Sequence, residues 1–364
     1  MAAVEGIRRH DKAGKIVLID EQGEPLYSKI NLHFLLNGKM SPEQLYLKKQ
    51  DFYTQNAVEL VRAKPQSLDG FEYEKLILAT GGFPRGLDVE GADLSGIHTF
   101  YSLEDAKKLT RDIEDAKDIL VVGGGFITLD VVDSLQQMGK NIHLVVRDSQ
   151  LLRGRVGSRG AKILFDNLNN NVKCYFETEA TKFVGNQQVE AVVLLGGEKV
   201  NCQQVIMAIG IVPNLSLAKA LNLKIGRGVI VDEFQRTNIE NVYAAGDICE
   251  FLDRSSGESM MAGNWFYAME SGKVAGENAA GGNMVNEAVP IVSKNLLGTN
   301  LFFVGNVDDK FEKREFFSEK KYFCAFIKDS VLVGASAIGL PTKMGLAKAV
   351  LGKQFELTKE QISD

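Results

Sequence analysis

Apolar positions recur along this chain in two rhythms. Ala3, Val4 and Ile7 keep helical spacing, and the run KIVLID that follows is continuous in the manner of a buried strand. The longest patterned stretch is KDILVVGGGFITLDVVDSLQQMGKNIHLVVRD, which reads as a buried strand, a glycine turn, an amphipathic helix and a second strand. That is a βαβ unit in the order a parallel sheet needs. Upstream, EYEKLILATGGFPR is a strand running into small residues and glycines. Downstream, QQVIMAIGIVPN repeats the design through Ala208, Ile209 and Gly210. Two similar strand ends flanking one βαβ unit predict two related nucleotide-binding units, one inserted in the other.

Beyond the strand end NVYAAGDICEF comes the helical pattern NWFYAMESGKVAGENAAGG, whose small residues Ala268, Gly272, Ala275 and Gly276 permit close helix packing. From about Asn283 the rhythm changes to short strands, in NLLGTNLFFVGNV and KKYFCAFIKDSVLVGASAIG, and then to a helical tail, PTKMGLAKAVLGK. The expected fold class is therefore α/β: two Rossmann-like, three-layer ββα domains plus a small C-terminal α+β domain. Residues 1–104 and 235–282 form the first, split domain, residues 105–234 the second, and residues 283–364 the third.

Composition narrows the function classes. The 364 residues are 45% hydrophobic and 24% charged, which is ordinary for a globular protein and excludes disorder, collagen and coiled coil. A net charge of −5 without a basic block lacks the electrostatic footprint of a nucleic-acid binder. No signal-peptide pattern opens the chain, and charges or glycines break every apolar run before membrane-spanning length, so a cytoplasmic protein with no membrane partner is expected. Glycine supplies 36 residues and proline 7, which suits tight βα turns. Cys174, Cys202, Cys249 and Cys324 lie far apart without a CxxC, so neither a zinc site nor a local dithiol is expected.

Gly123, Gly124 and Gly125 follow DILVV and open the helix at Phe126 and Ile127. Glycine there lets backbone N–H groups approach a pyrophosphate at a helix N-terminus. The bland alternative is a packing turn, and the third glycine position of GxGxxG is Thr128, which would hold the helix slightly further from the strand. The second strand ends at the apolar Val146, where a unit selective for NADH carries an acid. Arg147 and Arg153 follow, six apart, able to converge on a 2′-phosphate, so NADPH is preferred over NADH. The competing reading is two solvated arginines, because Arg155 and Arg159 make the whole stretch Arg-rich. Asp20 or Glu21 stands at the end of KIVLID where a ribose-binding acid would stand. Asp247, beside Gly246, can accept from a ligand hydroxyl or merely cap a helix.

Taken in order, YSK, LILATGGFPR, VVGGGFITLD, AIGIVPN, NVYAAGD and AMESGKVAGENAAGG resemble the FAD-dependent pyridine nucleotide-disulfide oxidoreductase family over nearly the whole chain. The likeness is to its branch without a dithiol, the rubredoxin or ferredoxin reductases and the NADH oxidase and nitrite reductase flavoproteins. The resemblance implies one domain for FAD and one for NAD(P)H, followed by an interface domain. By it, Thr80, Gly81 and Arg85 lie along FAD, Gly210 marks the corresponding second strand end, and Asp247 binds the ribityl chain. Asp20 or Glu21 takes the adenosine ribose. Lys29 stands where an arginine is usual near the flavin, with Ile30 in place of proline, and Asp130 replaces a glutamate near the nicotinamide–flavin contact. The family's first strand and FAD glycine loop are not in the sequence, and with them go the backbone N–H groups that face the FAD pyrophosphate in the family. The implied activity passes electrons from NAD(P)H through FAD to a small carrier protein of rubredoxin or ferredoxin type, or to a small acceptor. The alternative is a flavin-free, non-catalytic NADPH-binding module. No catalytic side chain is assigned, since the cofactors carry the chemistry. His33 falls in the segment that the resemblance turns toward the flavin, and the reading favoured over a role there is a hydrogen-bonded structural histidine.

Overall fold

A computed structural model describes residues 1–48, 50–64, 67, 68, 70–340 and 351–354, so the expected tail helix lies largely outside the described residues. The apolar run Asp118–Val122 becomes the central strand of a five-stranded parallel sheet. Its order is Ile97–Thr99, Gln204–Met207, Asp118–Val122, Asn141–Val146, Val172–Phe176. Ile119, Leu120 and Val121 are wholly buried, which is why this strand reads as continuous rather than alternating. Helix Phe126–Gln137 covers one face through Leu129, Val132 and Leu135. The other face carries a three-stranded antiparallel sheet, Ala180–Gly185, Val189–Leu194 and Lys199–Asn201, whose Phe183 and Val192 pack on Leu120 and Val145. The expected three ββα layers are all present here.

Strand Ile97–Thr99, which the sequence placed in the first unit, pairs with Gln204–Met207 at the edge of this sheet. Conversely, Val229–Ile230 pairs with Cys249–Leu252, and Leu217, Leu223 and Val229 pack with Leu78 and Val242 of the first unit. Short strands of this kind take their place from partners far away in sequence.

The first unit contains two separate parallel pairs. Ile16–Asp20 lies beside Val58–Arg62, and Leu76–Leu78 beside Val242–Ala244. Among the described residues no strand joins them. Helix Ala2–His10 packs tightly against helix Trp265–Ala279 because glycines remove the obstructing side chains. A Cβ on Gly6 would stand 2.3 Å from the Lys273 carbonyl oxygen, and one on Gly276 would stand 2.0 Å from that of Ala3.

The C-terminal unit is a five-stranded antiparallel sheet in the order Ile291–Leu296, Thr299–Gly305, Val331–Ile338, Tyr322–Lys328, Glu312–Phe317. One face packs on the unit built around the five-stranded parallel sheet. Phe303 meets Phe126 edge-on with centroids 4.8 Å apart, and the fully buried Tyr322 accepts a hydrogen bond from the Gly157 N–H at 2.7 Å and donates one to Glu315 at 2.6 Å. No described helix is long and apolar enough to cross a membrane, and no cluster of potential metal ligands occurs among the described residues.

Candidate dinucleotide and flavin sites

The glycine turn is built to an exacting geometry. Gly123 has φ +134°, and a Cβ there would lie 2.5 Å from both the Ala208 carbonyl oxygen and the Thr128 hydroxyl. A Cβ on Gly124 would lie 2.9 Å from Val146, whereas around Gly125 there is open space. Only glycine suits the first position, and the space at Gly125 lies where an anion would meet the first N–H groups of the helix. Thr128 explains its own departure from glycine. It is wholly buried and donates its hydroxyl to the Ala208 carbonyl at 3.0 Å, tying the helix to the neighbouring strand. Phe126 is partly buried against Phe303, and Ile127 stands exposed beside it.

Just beyond Val146, the loop folds back over this turn through a hydrogen bond from the Leu152 N–H to the Gly124 carbonyl, 2.9 Å. Arg153 donates to Asp148 at 3.0 Å, while Arg147 is exposed and carries no ion pair among the described residues. The two arginines are thus not equivalent, since one already has a carboxylate.

The two strand ends bearing Thr80–Arg85 and Gly210 lie side by side. Strands Gly82–Pro84 and Ile211–Pro213 pair antiparallel, the Thr80 hydroxyl donates to the Asn214 carbonyl at 2.7 Å, and the Arg85 N–H donates to the Gly210 carbonyl at 2.9 Å. Gly81, Gly210 and Gly246 all have positive φ, as glycine allows at such turns. The Lys29 ammonium sits 3.7 Å over the Tyr101 ring, and the Gly82 N–H donates to the Tyr101 hydroxyl at 3.3 Å. Burial pushes the Asp247 carboxyl above the ordinary carboxylate range, and the Lys29 charge only partly offsets this. Among the described residues no donor is aimed at the Asp247 carboxylate, so its acceptor capacity fits a ligand hydroxyl.

Asp20 and Glu21 are engaged otherwise. Asp20 accepts from the Gln22 and Gly23 N–H groups at 3.0 and 2.7 Å, closing the turn after its strand, and Glu21 pairs with Lys64 at 2.9 Å on the surface.

Asp130 is nine-tenths buried on helix Phe126–Gln137, and both its carboxylate oxygens are met by the ammonium of Lys294 from the C-terminal sheet. Desolvation raises its pKa, and Lys294 and His33 oppose that shift. His33, buried on helix His33–Leu36, is held below the usual imidazole range by burial. Lys294 and Tyr101 escaped the sequence reading. Lys294 meets its acid 164 positions away, and Tyr101 is one aromatic in an undistinguished turn, so neither leaves a local signal.

The chain is 32% identical over 298 residues to an NADH oxidase of Methanocaldococcus jannaschii, a match covering 76% of this chain and 66% of that protein. It is 31% identical over 257 residues to a rubredoxin-NAD(+) reductase of Pseudomonas putida, covering 66% of this chain and 67% of the relative. The chain thus spans about two thirds of the length of these two relatives. In fold it is similar to the crystal structure of a ferredoxin reductase from Rhodopseudomonas palustris. There the TM-score is 0.91 at 23% identity, with 100% of this chain and 94% of that one covered. A family model described as pyridine nucleotide-disulphide oxidoreductase matches residues 1–272, ending within helix Trp265–Ala279, and the chain belongs to that family.

Proposed function

We propose that the chain acts as a flavin-dependent NAD(P)H oxidoreductase, taking electrons from NAD(P)H and passing them to a small carrier protein of rubredoxin or ferredoxin type, or to a small acceptor. The observation that carries the reading is the pairing of two half-built ligand cradles in one chain. One is the glycine turn at Gly123–Gly125. The other is the unpartnered carboxylate of Asp247 facing Lys29, beside the stitched ends of the strands bearing Thr80, Gly81, Arg85 and Gly210.

When bound, FAD supplies a ring that accepts a hydride from the nicotinamide and releases electrons singly or in pairs. The chain's own residues do the rest. Asp247 accepts from a ribityl hydroxyl, Lys29 places positive charge on the same side, and the N-terminus of helix Phe126–Gln137 receives the dinucleotide phosphates. Asp130, fixed by Lys294, places a carboxyl on that helix one turn beyond Phe126. All four cysteines are raised in pKa by burial, Cys174 to about 11 and Cys202 and Cys324 to about 12, so none is set up as a thiolate relay. NADPH is the preferred donor in this reading, with Arg147 the principal contact to the 2′-phosphate. Arg153 joins by exchanging Asp148 for the ligand, a small cost because exposed ion pairs contribute little.

The test is to supply the purified protein with FAD and follow the loss of flavin absorbance on anaerobic addition of NADPH or NADH. The reading expects bleaching by both, at lower concentration of NADPH. Arg147→Ala should weaken NADPH about tenfold, one charge-assisted contact of about 1.5 kcal/mol or more, with NADH unchanged. The division of the first unit into two separate strand pairs favours a second reading, a flavin-free NADPH-binding module. Protein that stays colourless after FAD is supplied, yet binds NADPH, would select it.

A further inference from the structure

Four arginines crowd residues 147–159, and the structure separates their roles. Arg153 is taken by Asp148 at 3.0 Å, and Arg159 lies 3.8 Å over the Phe317 ring. Arg147 stands in solvent at the end of the second strand. Arg155 is different. Its guanidinium lies 5.5 Å from the centroid of the Phe126 ring and, among the described residues, has neither a hydrogen bond nor an ion pair within 4 Å.

It projects into a polar cleft of about 250 Å³ where the three units meet, lined also by Ser259, Asn264, Val292, Phe303 and Asn306. Solvent reaches the group, yet the surrounding protein pulls its pKa below the ordinary arginine value. Asp308 offsets this only at longer range. The other two cations on the cleft wall are already engaged, Arg227 with Glu250 and Lys310 with Glu258. An exposed guanidinium with no hydrogen bond and no ion pair within 4 Å among the described residues, sharing the cleft wall with Asp308, keeps its five donors for an anion.

Its neighbour identifies which anion. Phe126 is the first residue of the helix that Gly125 caps, so the ring under Arg155 belongs to the turn whose free N–H groups face a phosphate. Leu152, three residues before Arg155, bonds to Gly124 and fixes the loop over that turn. Arg147, by contrast, directly follows the last residue of strand Asn141–Val146, where the ribose end of a nucleotide is read.

We propose that Arg155 is the second jaw of a pyrophosphate clamp, gripping the bridging diphosphate of NAD(P)H opposite the glycine turn, and is not a reader of the 2′-phosphate. The inference rests on the reading of Gly123–Gly125 as the dinucleotide turn. Because both nucleotides share the diphosphate, Arg155 governs affinity without governing choice.

The experiment is calorimetric titration of the FAD-supplemented protein with the oxidised nucleotides NAD+ and NADP+, which share the diphosphate and do not reduce the flavin, for the wild type, Arg155→Ala and Arg155→Lys, with inorganic pyrophosphate as competitor. Arg155→Ala should weaken both nucleotides by the same factor, about tenfold or more, and Arg155→Lys should recover only part, because an ammonium lacks the forked donor pair. Pyrophosphate should compete against the wild type and lose that effect in Arg155→Ala. Weakening of NADP+ alone, or of neither nucleotide, overturns the clamp while leaving the dinucleotide turn intact. A wild type that binds neither nucleotide overturns that reading and the clamp with it. Arg155→Lys keeps the charge and the aliphatic stem, so it separates lost binding from lost folding.

Discussion

The contact between Asp130 and Lys294 ties helix Phe126–Gln137 to the first strand of the C-terminal sheet, with both side chains mostly out of water. Removing one member of such a pair leaves the other charge uncompensated, so Lys294→Met should cost about 3 kcal/mol, and pairing it with Asp130→Leu should return most of that loss. Urea denaturation of the two variants checks this. The pH dependence has a definite sign. Because the Asp130 carboxyl is raised in the folded state, mainly by desolvation, the folded protein holds that proton more tightly than the unfolded chain. Its contribution is therefore fully present below the ordinary carboxylate range and is lost as pH rises through the raised value. Asp130→Asn should flatten the stability profile across that window. A wild type gaining stability with pH there, relative to Asp130→Asn, would contradict the assignment. At this scale the sequence discloses Gly123, whose identity follows from local backbone geometry, and it marks Asp247 through its place at a strand end beside Gly246. It conceals Lys294 and Tyr101, whose meaning comes only from what lies across the fold.

Glycine sets how closely elements approach. Helix Ala2–His10 and helix Trp265–Ala279 touch backbone to backbone at Gly6 and Gly276, and a methyl on Gly276 would run into the Ala3 carbonyl, which no rotamer change can move aside. Gly276→Ala should therefore push the two helices apart and destabilise the protein by about 2 kcal/mol, within the range for overpacked interiors, despite alanine's better helix propensity. The midpoint of chemical denaturation measures it, and a neutral or stabilising outcome would mean that the helices slide apart freely. The small-residue run around Gly272 and Gly276 was legible as a packing face because glycine and alanine at helical spacing have few other uses. So was the βαβ unit, whose strands are continuous apolar runs punctuated by glycine. Strands as short as Ile97–Thr99 and Val229–Ile230 leave no signal of their own in the sequence, because two or three residues carry no period and their sheet is chosen by the partners they pair with elsewhere in the chain.

Across the whole molecule, residues of all three units line the Arg155 cleft, and Phe126 on Phe303, Gly157 on Tyr322 and Asp130 on Lys294 hold the second unit to the C-terminal one. They are not equally well knit. The dinucleotide unit has a five-stranded sheet covered on both faces, whereas the first unit offers two isolated parallel ribbons. In a two-stranded ribbon every strand is an edge, and each leaves half its amides outside any ladder. The chain should therefore come apart in a fixed order when transferred to deuterated water. Amides of Ile16–Asp20 and Leu76–Leu78 should exchange about tenfold or more faster than those of Ile119–Val122, through openings that leave the central sheet closed. Mass spectra of peptic fragments would display this as two populations of mass gain, the ribbons heavy within minutes and the central strand still light.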